Sequence, residues 1–393
     1  MLITALYEKM ESRFTHDYEK KYDFSIDYAE KLPIPKDEID MAYCHYFAHS
    51  HFYYDVPTRV LLNIIGIFSL PAAMLLCLFK SRHLDKKSAD HESLAIIKKS
   101  GICIKDIVPQ ELYNQYKKVI EKPFVNRRLL DTNARKLVSS CWRRYSLHPF
   151  FVFMVLRRLS ETCSVKQEFN PSALVTYGRE RDFITPIVTM YCEMEKVEHI
   201  GFMHGDDYYT PDKIYMRYSK YYVWDEHYVR MYSRLCWPKD QFTIYIPKKL
   251  SGITKPRENG QYDYFITYYF SGENAEIIRG VHKAFDVLKR QGNKCKIRPH
   301  PRFSDIELLH DVFKDYMIED VNDVSIEDSI ENSKYICALN STVLSQAYYS
   351  GKDIVIDDFS SKERYDSLIP KDYILLSKPH KVLSELLQEI ENG

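Results

Sequence analysis

The sequence lacks an excess of charge of either sign and lacks closely paired cysteines. Lysine plus arginine and aspartate plus glutamate each total 55 in 393 residues, so no overall field draws the chain to nucleic acid. The nine cysteines include no CxxC pair, and several lie in apolar runs. This pattern is typical of reduced, buried thiols in a cytosolic protein and argues against a zinc site or a disulfide framework. Any basic binding site must therefore be local.

Glycine is scarce, with 12 residues, whereas tyrosine is abundant, with 32. Tyrosine at this level suits half-buried surfaces and sugar-binding clefts, although composition alone proves neither. A chain of 393 residues is too long for one ordinary domain. We therefore expect two domains.

One apolar segment, RVLLNIIGIFSLPAAMLLCLFK, runs from Arg59 to Lys80 with no charge between its ends. It is roughly long enough to cross a bilayer, and the basic residues around it predict that the downstream bulk of the chain is cytoplasmic. Pro71 and several polar residues interrupt it. We expect residues 60–79 to associate with the membrane as a re-entrant or interfacial pair of helices, broken and kinked at Pro71; a buried helical hairpin is the alternative.

Strands alternate with helices along two stretches of the chain. The first covers residues 91–245 and contains the strand-like segments SALVTYG and EHIGFMHG; the second covers residues 262–393 and contains YDYFITYY, KCKIRP, KYICAL, KDIVID and YILL. Residues 246–261 are rich in proline, glycine and charge, as linkers are. Such alternation implies parallel strands joined by right-handed crossovers. The sequence therefore predicts an α/β protein of two doubly wound domains facing a cleft, after an N-terminal extension of residues 1–90.

Residues 294–305, KCKIRPHPRFSD, fix one histidine between two prolines at the end of a predicted strand. An imidazole held there can donate a hydrogen bond to a phosphate oxygen, or a proton to a leaving group. Around His300, Arg298 and Arg302 can add bidentate phosphate contacts, and Pro301 belongs to the same turn. The stretch indicates a phosphate site.

Two further strand-end loops complete this expected site. The strand KYICAL ends near Asn340 and a helix begins at once, so Ser341 or Thr342 lies at a helix N-cap, where hydroxyls and free backbone N–H groups attract anions. Ser271 and Gly272 follow another predicted strand. Taken alone, each motif is explained as well by a helix cap or turn. Because these strand ends can be neighbours in a doubly wound sheet, we expect them to bind one nucleotide phosphate.

Arg-Pro-His-Pro followed by Asn-Ser-Thr at the head of a helix resembles the HP and SS/ST motifs of bacterial sialyltransferases and polysialyltransferases. These are GT-B enzymes that use CMP-activated nonulosonic acids, and 3-deoxy-manno-octulosonate (Kdo) transferases share parts of the layout. The similarity covers residues 260–360 and, more loosely, residues 170–235. It implies that His300 contacts the CMP phosphate and assists its departure, while Ser341 and Thr342 bind the same phosphate.

The resemblance also implies a general base, for which the chain offers three candidates. The family's acidic pair is followed by glycine, whereas here, in FMHGDDYYTP, Gly205 precedes Asp206 and Asp207. The same stretch is similar to the His-Gly motif of CDP-glycerol glycerophosphotransferases, another GT-B group, which makes His204 the third candidate. Sugar transfer needs a base within hydrogen-bond reach of the acceptor hydroxyl, and all three residues remain open.

Two arginines after the predicted strand SALVTYG, Arg179 and Arg181, are candidates for recognising an acidic substrate, although a solvated helix start explains them equally well. An Asp-Asp pair is also typical of the metal-binding motif of GT-A transferases. The two-domain α/β layout and the basic phosphate site favour a metal-independent reaction. We expect neither a metal nor another cofactor.

These features predict a glycosyltransferase at the cytoplasmic face of a bacterial inner membrane. It would transfer a CMP-activated sialic acid, another nonulosonate or Kdo, with inversion, to a capsule polysaccharide or lipopolysaccharide acceptor. The expected partners are the CMP-sugar donor, a glycan or glycolipid acceptor and the membrane surface, but not nucleic acid. The alternatives are a CDP-glycerol-type glycerophosphotransferase of capsule or teichoic-acid-like polymer synthesis, and a non-catalytic GT-B-like scaffold of a glycan-assembly complex.

Overall fold

The computed structural model describes residues 34–80, 93–97, 107–121, 129–177, 182–210, 213–252 and 262–392. These residues form two compact units. The first contains the described residues up to His204 together with Tyr209–Tyr245, and the second contains Gly205–Tyr208 together with the chain from Ile246 onwards. The short segment Gly205–Tyr208 thus packs with the second unit, although the sequence assigned it to the first domain.

The first unit is built on a six-stranded parallel sheet with the order β2-β1-β3-β4-β5-β6. Its strands are β1 (Ser93–Ile97), β2 (Lys118–Glu121), β3 (Ala173–Tyr177), β4 (Glu198–Phe202), β5 (Lys220–Val223) and β6 (Phe242–Ile244). Its helices are α1 (Glu38–Tyr53), α2 (Val56–Lys80), α3 (Gln110–Asn114), α4 (Thr132–Tyr145), α5 (Pro149–Phe169), α6 (Thr185–Met194) and α7 (Glu226–Arg234).

Residues along the central strands of this sheet alternate between two hydrophobic cores. In β3, Ala173 and Val175 face one core, while Leu174 faces the other. Successive strand residues point to opposite faces, so a parallel sheet covered on both faces reads as a continuous apolar run. This explains why the apolar segments around β3 and β4 were recognisable in the sequence.

Helices α1 and α2 share a core with α4, α5 and α6, so the described part of the N-terminal extension packs as part of the first unit. The expected break at Pro71 was wrong, because α2 continues through this proline. The boundary between α4 and α5 falls at His148-Pro149, since Pro149 begins α5 and needs no N–H partner there.

The second unit holds another six-stranded parallel sheet, with the order β12-β11-β10-β7-β8-β9. Its strands are β7 (Tyr264–Tyr269), β8 (Cys295–Arg298), β9 (Met317–Ile318), β10 (Ser333–Ala338), β11 (Asp353–Ile356) and β12 (Lys381–Val382). Its helices are α8 (Lys248–Ser251), α9 (Ala275–Arg290), α10 (Ile306–Val312), α11 (Ile326–Glu331), α12 (Thr342–Tyr349), α13 (Lys362–Asp366) and α14 (Leu383–Asn392).

The strand order of the second sheet reverses between β7 and β10. The chain runs outward from β7 through β8 to β9, and then returns to the other side of β7 to form β10, β11 and β12. This is the order of a Rossmann-like doubly wound sheet, in which ligands bind outside the carboxyl ends of the strands at the reversal. The loops after β7 and β10 therefore lie at the place where such sheets bind ligands.

The sequence missed the shortest strands and misread one segment. The strands β2, β6 and β9 are short, and β9 has only two residues. The segment YILL, expected to be a strand, contributes instead to the 3-10 helix Ile374–Ser377, and β12 follows it. Short edge strands carry too few residues for a clear alternating pattern.

Candidate functional site

Three loops of the second unit converge at the carboxyl ends of β7, β8 and β10. The Oγ of Ser271, after β7, donates a hydrogen bond of 3.4 Å to the backbone carbonyl of Asn340, after β10. On the other side, Gly272 lies so close to the β8 loop that a Cβ added to it would be 3.1 Å from the carbonyl oxygen of Phe303. The β7 loop thus lies between the other two and contacts both, whereas the sequence had suggested that the ends of β8 and β10 could be direct neighbours.

Only glycine can occupy position 272 without backbone strain. Its φ of +101° lies in a region that L side chains rarely adopt, and the added Cβ would also meet the Cβ of Phe303 at 3.2 Å. A small residue here lets two backbones approach and leaves the Ser271–Gly272 loop open to a ligand. Gly272 itself is exposed.

His300 is held by contacts from its own loop. Its backbone N–H donates to Ser304 Oγ at 2.8 Å, and its ring stacks on Phe303 with centroids 4.5 Å apart. The backbone N–H of Arg302 donates to His300 Nδ1 at 3.1 Å. The imidazole is half-buried rather than packed into the interior. The loop therefore fixes the orientation of the ring.

The Arg302 hydrogen bond also fixes the tautomer of His300. Because Nδ1 accepts, the neutral ring carries its proton on Nε2. Burial and then the Arg302 guanidinium lower the pKa of His300 below its ordinary value, so the ring is neutral at pH 7. Nε2 then acts as a hydrogen-bond donor to a phosphate oxygen rather than as a charged acid.

Arg298 does not belong to the phosphate site, and this expectation was wrong. Its Nη1 pairs with Glu319 at 2.6 Å, and its Nη2 donates to the carbonyl of Val324 at 2.9 Å. Lys296, two residues earlier on the same face of β8, also pairs with Glu319. Burial alone would raise the pKa of Glu319, but hydrogen bonds from Lys296, Ser329 and Arg298 hold it below its ordinary value. These charges form a buried network inside the unit.

Arg302 and Pro301 lie on the exposed side of the same turn. Arg302 is the arginine of the stretch whose side chain remains on the surface beside His300, and its backbone orients the ring. A guanidinium in this position can still add a contact to an anion that reaches Nε2 of His300. Of the two arginines expected to contact a phosphate, only Arg302 is therefore placed to do so.

Ser341 is the N-cap of α12. Its backbone is extended, and its Oγ accepts a hydrogen bond of 3.3 Å from the N–H of Val343. The hydroxyl is thus engaged in capping, as N-cap serines are. Thr342, the first helical residue, is half-buried, and its Oγ1 would lie 3.6 Å from a Cβ added to Gly205. The positive helix end remains the feature that favours an anion here.

The segment Gly205–Tyr208 lies against α12. Asp206 Oδ1 accepts a hydrogen bond of 2.7 Å from Ser345 Oγ, one turn into the helix. Asn340 Nδ2 donates to the hydroxyl of Tyr208 at 3.1 Å. A carboxylate is therefore held at the first turn of the helix that begins beside the three loops, and its orientation is fixed by a serine.

The three candidate bases differ in exposure. Asp207 is buried, which disfavours contact with an acceptor, and Asp206 is half-buried. His204 is exposed; its backbone carbonyl accepts from the hydroxyl of Tyr177 at 3.3 Å, and its ring meets the Tyr177 ring edge-on. His204 belongs to the first unit, whereas Asp206 belongs to the second.

Sequence reasoning missed three residues that position this site. Ser345 orients Asp206, Phe303 stacks on His300, and the buried Glu273 accepts from the backbone N–H of Ser271 at 2.6 Å. Burial raises the pKa of Glu273, an effect partly opposed by the backbone N–H groups of this loop. Of these three, only Ser345 could have been suspected from the sequence, because it follows the N-cap candidate Ser341 by one helical turn and so lies on the same face of the helix.

Arg179 and Arg181 fall outside the described residues. Within the described ranges, no group of three or more histidine, cysteine, aspartate and glutamate side chains is arranged to hold a metal ion.

Neither a protein-family model nor a curated protein matches the chain. Solved structures similar to it include the UDP-GlcNAc 2-epimerase of Neisseria meningitidis bound to UDP-GlcNAc (11% identity, 77% of this chain, 99% of that chain, TM-score 0.41). A putative UDP-N-acetylglucosamine 2-epimerase of Listeria monocytogenes gives 8% identity, 77% and 88% coverage and a TM-score of 0.46. The wall teichoic acid polymerase TagF gives 9% identity, 86% and 88% coverage and a TM-score of 0.46. Likeness at this level carries no conclusion about activity.

Proposed function

We propose that this protein is a glycosyltransferase of the GT-B type that transfers a CMP-activated acidic sugar to a cell-surface glycan. The proposal rests on one observation: loops after β7, β8 and β10 meet at the strand reversal of the second sheet, with His300 fixed there as an Nε2–H donor. A donor hydrogen bond and a helix N-terminus at this place suit a nucleotide phosphate.

In the proposed reaction, the donor phosphate lies between the β8 turn and the first turn of α12. His300 Nε2–H and the N-terminal N–H groups of α12 stabilise the negative charge that develops on the departing CMP. Arg302 adds a cation at the exposed edge of the turn. Thr342 is placed to add its hydroxyl, while Ser341 serves by capping the helix.

Asp206 is the proposed general base, and Ser345 is its positioning residue. The hydrogen bond from Ser345 Oγ to Asp206 Oδ1 fixes the orientation of the carboxylate, as a general base requires. His204 is the alternative base, because it is exposed and precedes Asp206 by two residues. Substituting Asp206 and His204 one at a time distinguishes the two candidates. Only loss of the true base should abolish transfer while leaving CMP binding intact.

The choice of a CMP-activated sialic acid, nonulosonate or Kdo is supported by the resemblance of the Arg-Pro-His-Pro and Asn-Ser-Thr motifs to the bacterial sialyltransferases. The same resemblance extends to CDP-glycerol glycerophosphotransferases through His204-Gly205. Both classes release CMP. A CDP-glycerol-type transferase is therefore the second candidate, and it would use the same phosphate loops.

Donor turnover decides between these candidates. The full-length protein is incubated separately with CMP-sialate, CMP-Kdo and CDP-glycerol, and released CMP is measured with and without acceptor glycans. We expect release from one of the CMP-sugars and none from CDP-glycerol. Turnover of CDP-glycerol alone would refute the sugar proposal, and no turnover together with no binding of CMP or CDP would refute a transferase of either kind.

A non-catalytic scaffold makes a different prediction in cells. If the protein only assembles other enzymes, His300→Ala should leave surface glycan production unchanged. If it is the transferase, the same substitution should remove the glycan while the protein remains folded and abundant.

A further inference from the structure

Helix α2 carries apolar side chains on both its buried and its exposed sides. One stripe is buried against the first unit, where Leu62, Leu70 and Cys77 have almost no exposed surface. The opposite side is exposed and carries eight large hydrophobic side chains: Val56, Val60, Leu61, Ile64, Ile67, Phe68, Met74 and Leu75. A helix at a water-facing surface normally places polar residues on its outer side. The exposed face of α2 instead has the apolar composition of a buried helix face.

The buried stripe of α2 is fixed tightly to helix α5. A Cβ added to Gly66 would lie 2.3 Å from the backbone nitrogen of Phe150, so glycine is what lets the two helices approach this closely. Phe150 and Phe151, at the start of α5, are buried in the same core. One side of α2 is therefore committed to the unit, and only the other side is available to a partner.

Exposed hydrophobic side chains are concentrated on this helix. Eight of the twenty large hydrophobic residues that are exposed within the described part of the chain lie in α2, and Phe68 is 74% exposed. The twenty residues Val56–Leu75 extend about 30 Å at the helical rise. Single exposed hydrophobic residues are ordinary, but a continuous strip of this length marks an interaction surface.

We propose that the exposed face of α2 docks on a lipid bilayer, with the helix lying in the plane of the membrane–water interface. By length and composition α2 is the described helix that is long and apolar enough to cross a membrane. Its packing on α5 favours the in-plane arrangement, because a crossing helix would have to expose to lipid the stripe that holds it to the unit.

Charge complementarity identifies lipid as the partner. Between Val56 and Phe79 the only charged residue is Arg59, and Asp55 at the helix start is used to accept the N–H of Thr58 at 2.8 Å. Lys80 ends α2, and Arg82, Lys86 and Lys87 follow it in the sequence. An aliphatic helix followed in sequence by a cluster of cations has the composition that suits acyl chains and anionic headgroups. The exposed face offers neither the charges nor the hydrogen-bonding groups of a polar protein interface.

Vesicle binding of the full-length protein tests this proposal. Vesicles of equal parts phosphatidylglycerol and phosphatidylcholine are compared with phosphatidylcholine alone, and bound protein is separated by flotation. We expect the unmodified protein to bind the anionic vesicles more tightly. The double variant Ile67→Glu, Phe68→Glu should weaken binding about tenfold or more, since two carboxylates would face the acyl region.

The matched control places the same charges on another exposed apolar pair. Met317 and Ile369, in the second unit, are 51% and 62% exposed, and their double Glu variant should bind vesicles like the unmodified protein. If both double variants bind equally well, or if the unmodified protein does not bind, the proposal is wrong. Sedimentation equilibrium tests the alternative partner: a dimer that becomes a monomer only in the α2 variant would assign this face to a second copy and overturn the lipid proposal.

A second measurement does not depend on the charged variant folding normally. In Phe68→Trp, lipids brominated about 5–10 Å below the headgroups should quench the new indole when vesicles are added. Absence of quenching, with vesicle binding intact, would exclude insertion of this face. The proposal is independent of the transferase activity, because the α2 double variant should still bind CMP in solution.

Discussion

Two histidines, one in each unit, show how the same side chain is used for packing and for binding. His199, on β4 of the first unit, is 1% exposed, and both its ring nitrogens are engaged: Thr176 Oγ1 lies 3.0 Å from Nε2 and Thr189 Oγ1 lies 2.7 Å from Nδ1. His300, after β8 of the second unit, is half-buried, and a backbone N–H engages Nδ1 alone. The first histidine has no bond left to offer a ligand, whereas the second presents Nε2–H.

The basic residues in and after β8 show the same contrast, between side chains engaged inside the unit and side chains available to a ligand, within seven residues of the chain. Inside the strand, Lys296 and Arg298 both form ion pairs with the buried Glu319. Beyond the strand end, Arg302 is exposed. The ion pairs inside the unit contribute to its folded structure, whereas the exposed guanidinium of Arg302 at the strand end can bind an anion. Substitutions that separate stability from binding test this distinction.

The largest expected effect is on folding. Glu319→Ala leaves Lys296 and Arg298 buried without their carboxylate, and should lower the free energy of unfolding by about 3–5 kcal/mol. Urea denaturation followed by circular dichroism measures it. Arg302→Ala is the control, because its exposed side chain should change stability by less than about 0.5 kcal/mol while weakening CMP binding. Equal destabilisation by both substitutions would show that the contrast along β8 is false.

His300→Ala should lower turnover of the CMP-sugar about 10²–10³-fold, since it removes a donor at the developing negative charge. The free energy of unfolding should barely change, because the side chain is half-buried and packs only on its own loop. His300→Gln keeps an N–H donor and should recover part of the activity. Initial rates with thermal unfolding of each variant provide the measurement, and unchanged rates in His300→Ala would remove this histidine from the mechanism.

His199 should affect pH-dependent stability and not activity. Burial lowers the pKa of His199 to about 3, with Asp182 opposing part of the effect. The unfolded chain therefore binds a proton below pH 6.5 that the folded protein does not, so stability is complete above pH 6.5 and falls as the pH is lowered. Between pH 6.5 and pH 4 this amounts to about 3 kcal/mol.

The pH effect is isolated by comparison with His199→Gln. Unfolding free energies of both proteins are measured across this range, and the difference between them should shrink or reverse as the pH falls, because only the histidine loses stability through its own protonation. A difference that stays constant with pH would mean that His199 is not held neutral.

The smallest expected effect concerns Ser345. Ser345→Ala removes the hydrogen bond that orients Asp206, and should lower kcat about tenfold while KM for the donor stays the same. Asp206→Asn should be far more damaging, because it removes the base itself. A Ser345→Ala variant with unchanged kcat, or one that loses CMP binding instead, would contradict the positioning role.

The sequence predicted the parts of the fold that depend on local pattern. Strands such as β3 and β7 are continuous apolar or aromatic runs, and Pro149 marks a helix start by its own chemistry. The pairing of β7 with β10, which alternation alone does not specify, then brings Ser271 and Asn340 together.

What the sequence could not predict depends on contacts between distant residues. Arg298 was assigned to phosphate because its partner Glu319 lies 21 residues away and reaches it only through the pairing of β8 with the two-residue strand β9. Likewise, Asp206 meets Ser345 across 139 residues. Neither pairing leaves a local pattern in the sequence.

The path of the chain through Gly205–Tyr208 has a practical consequence for anyone who wants to separate the protein into halves. Because these four residues pack with the chain from Ile246 onwards, a fragment starting at residue 246 would keep the loops after β7, β8 and β10 but lose Asp206. The complementary fragment would carry Asp206 without the serine that orients it. Neither half contains the complete candidate site, so under the proposed function a mixture of the two pieces should be active only if they reassociate.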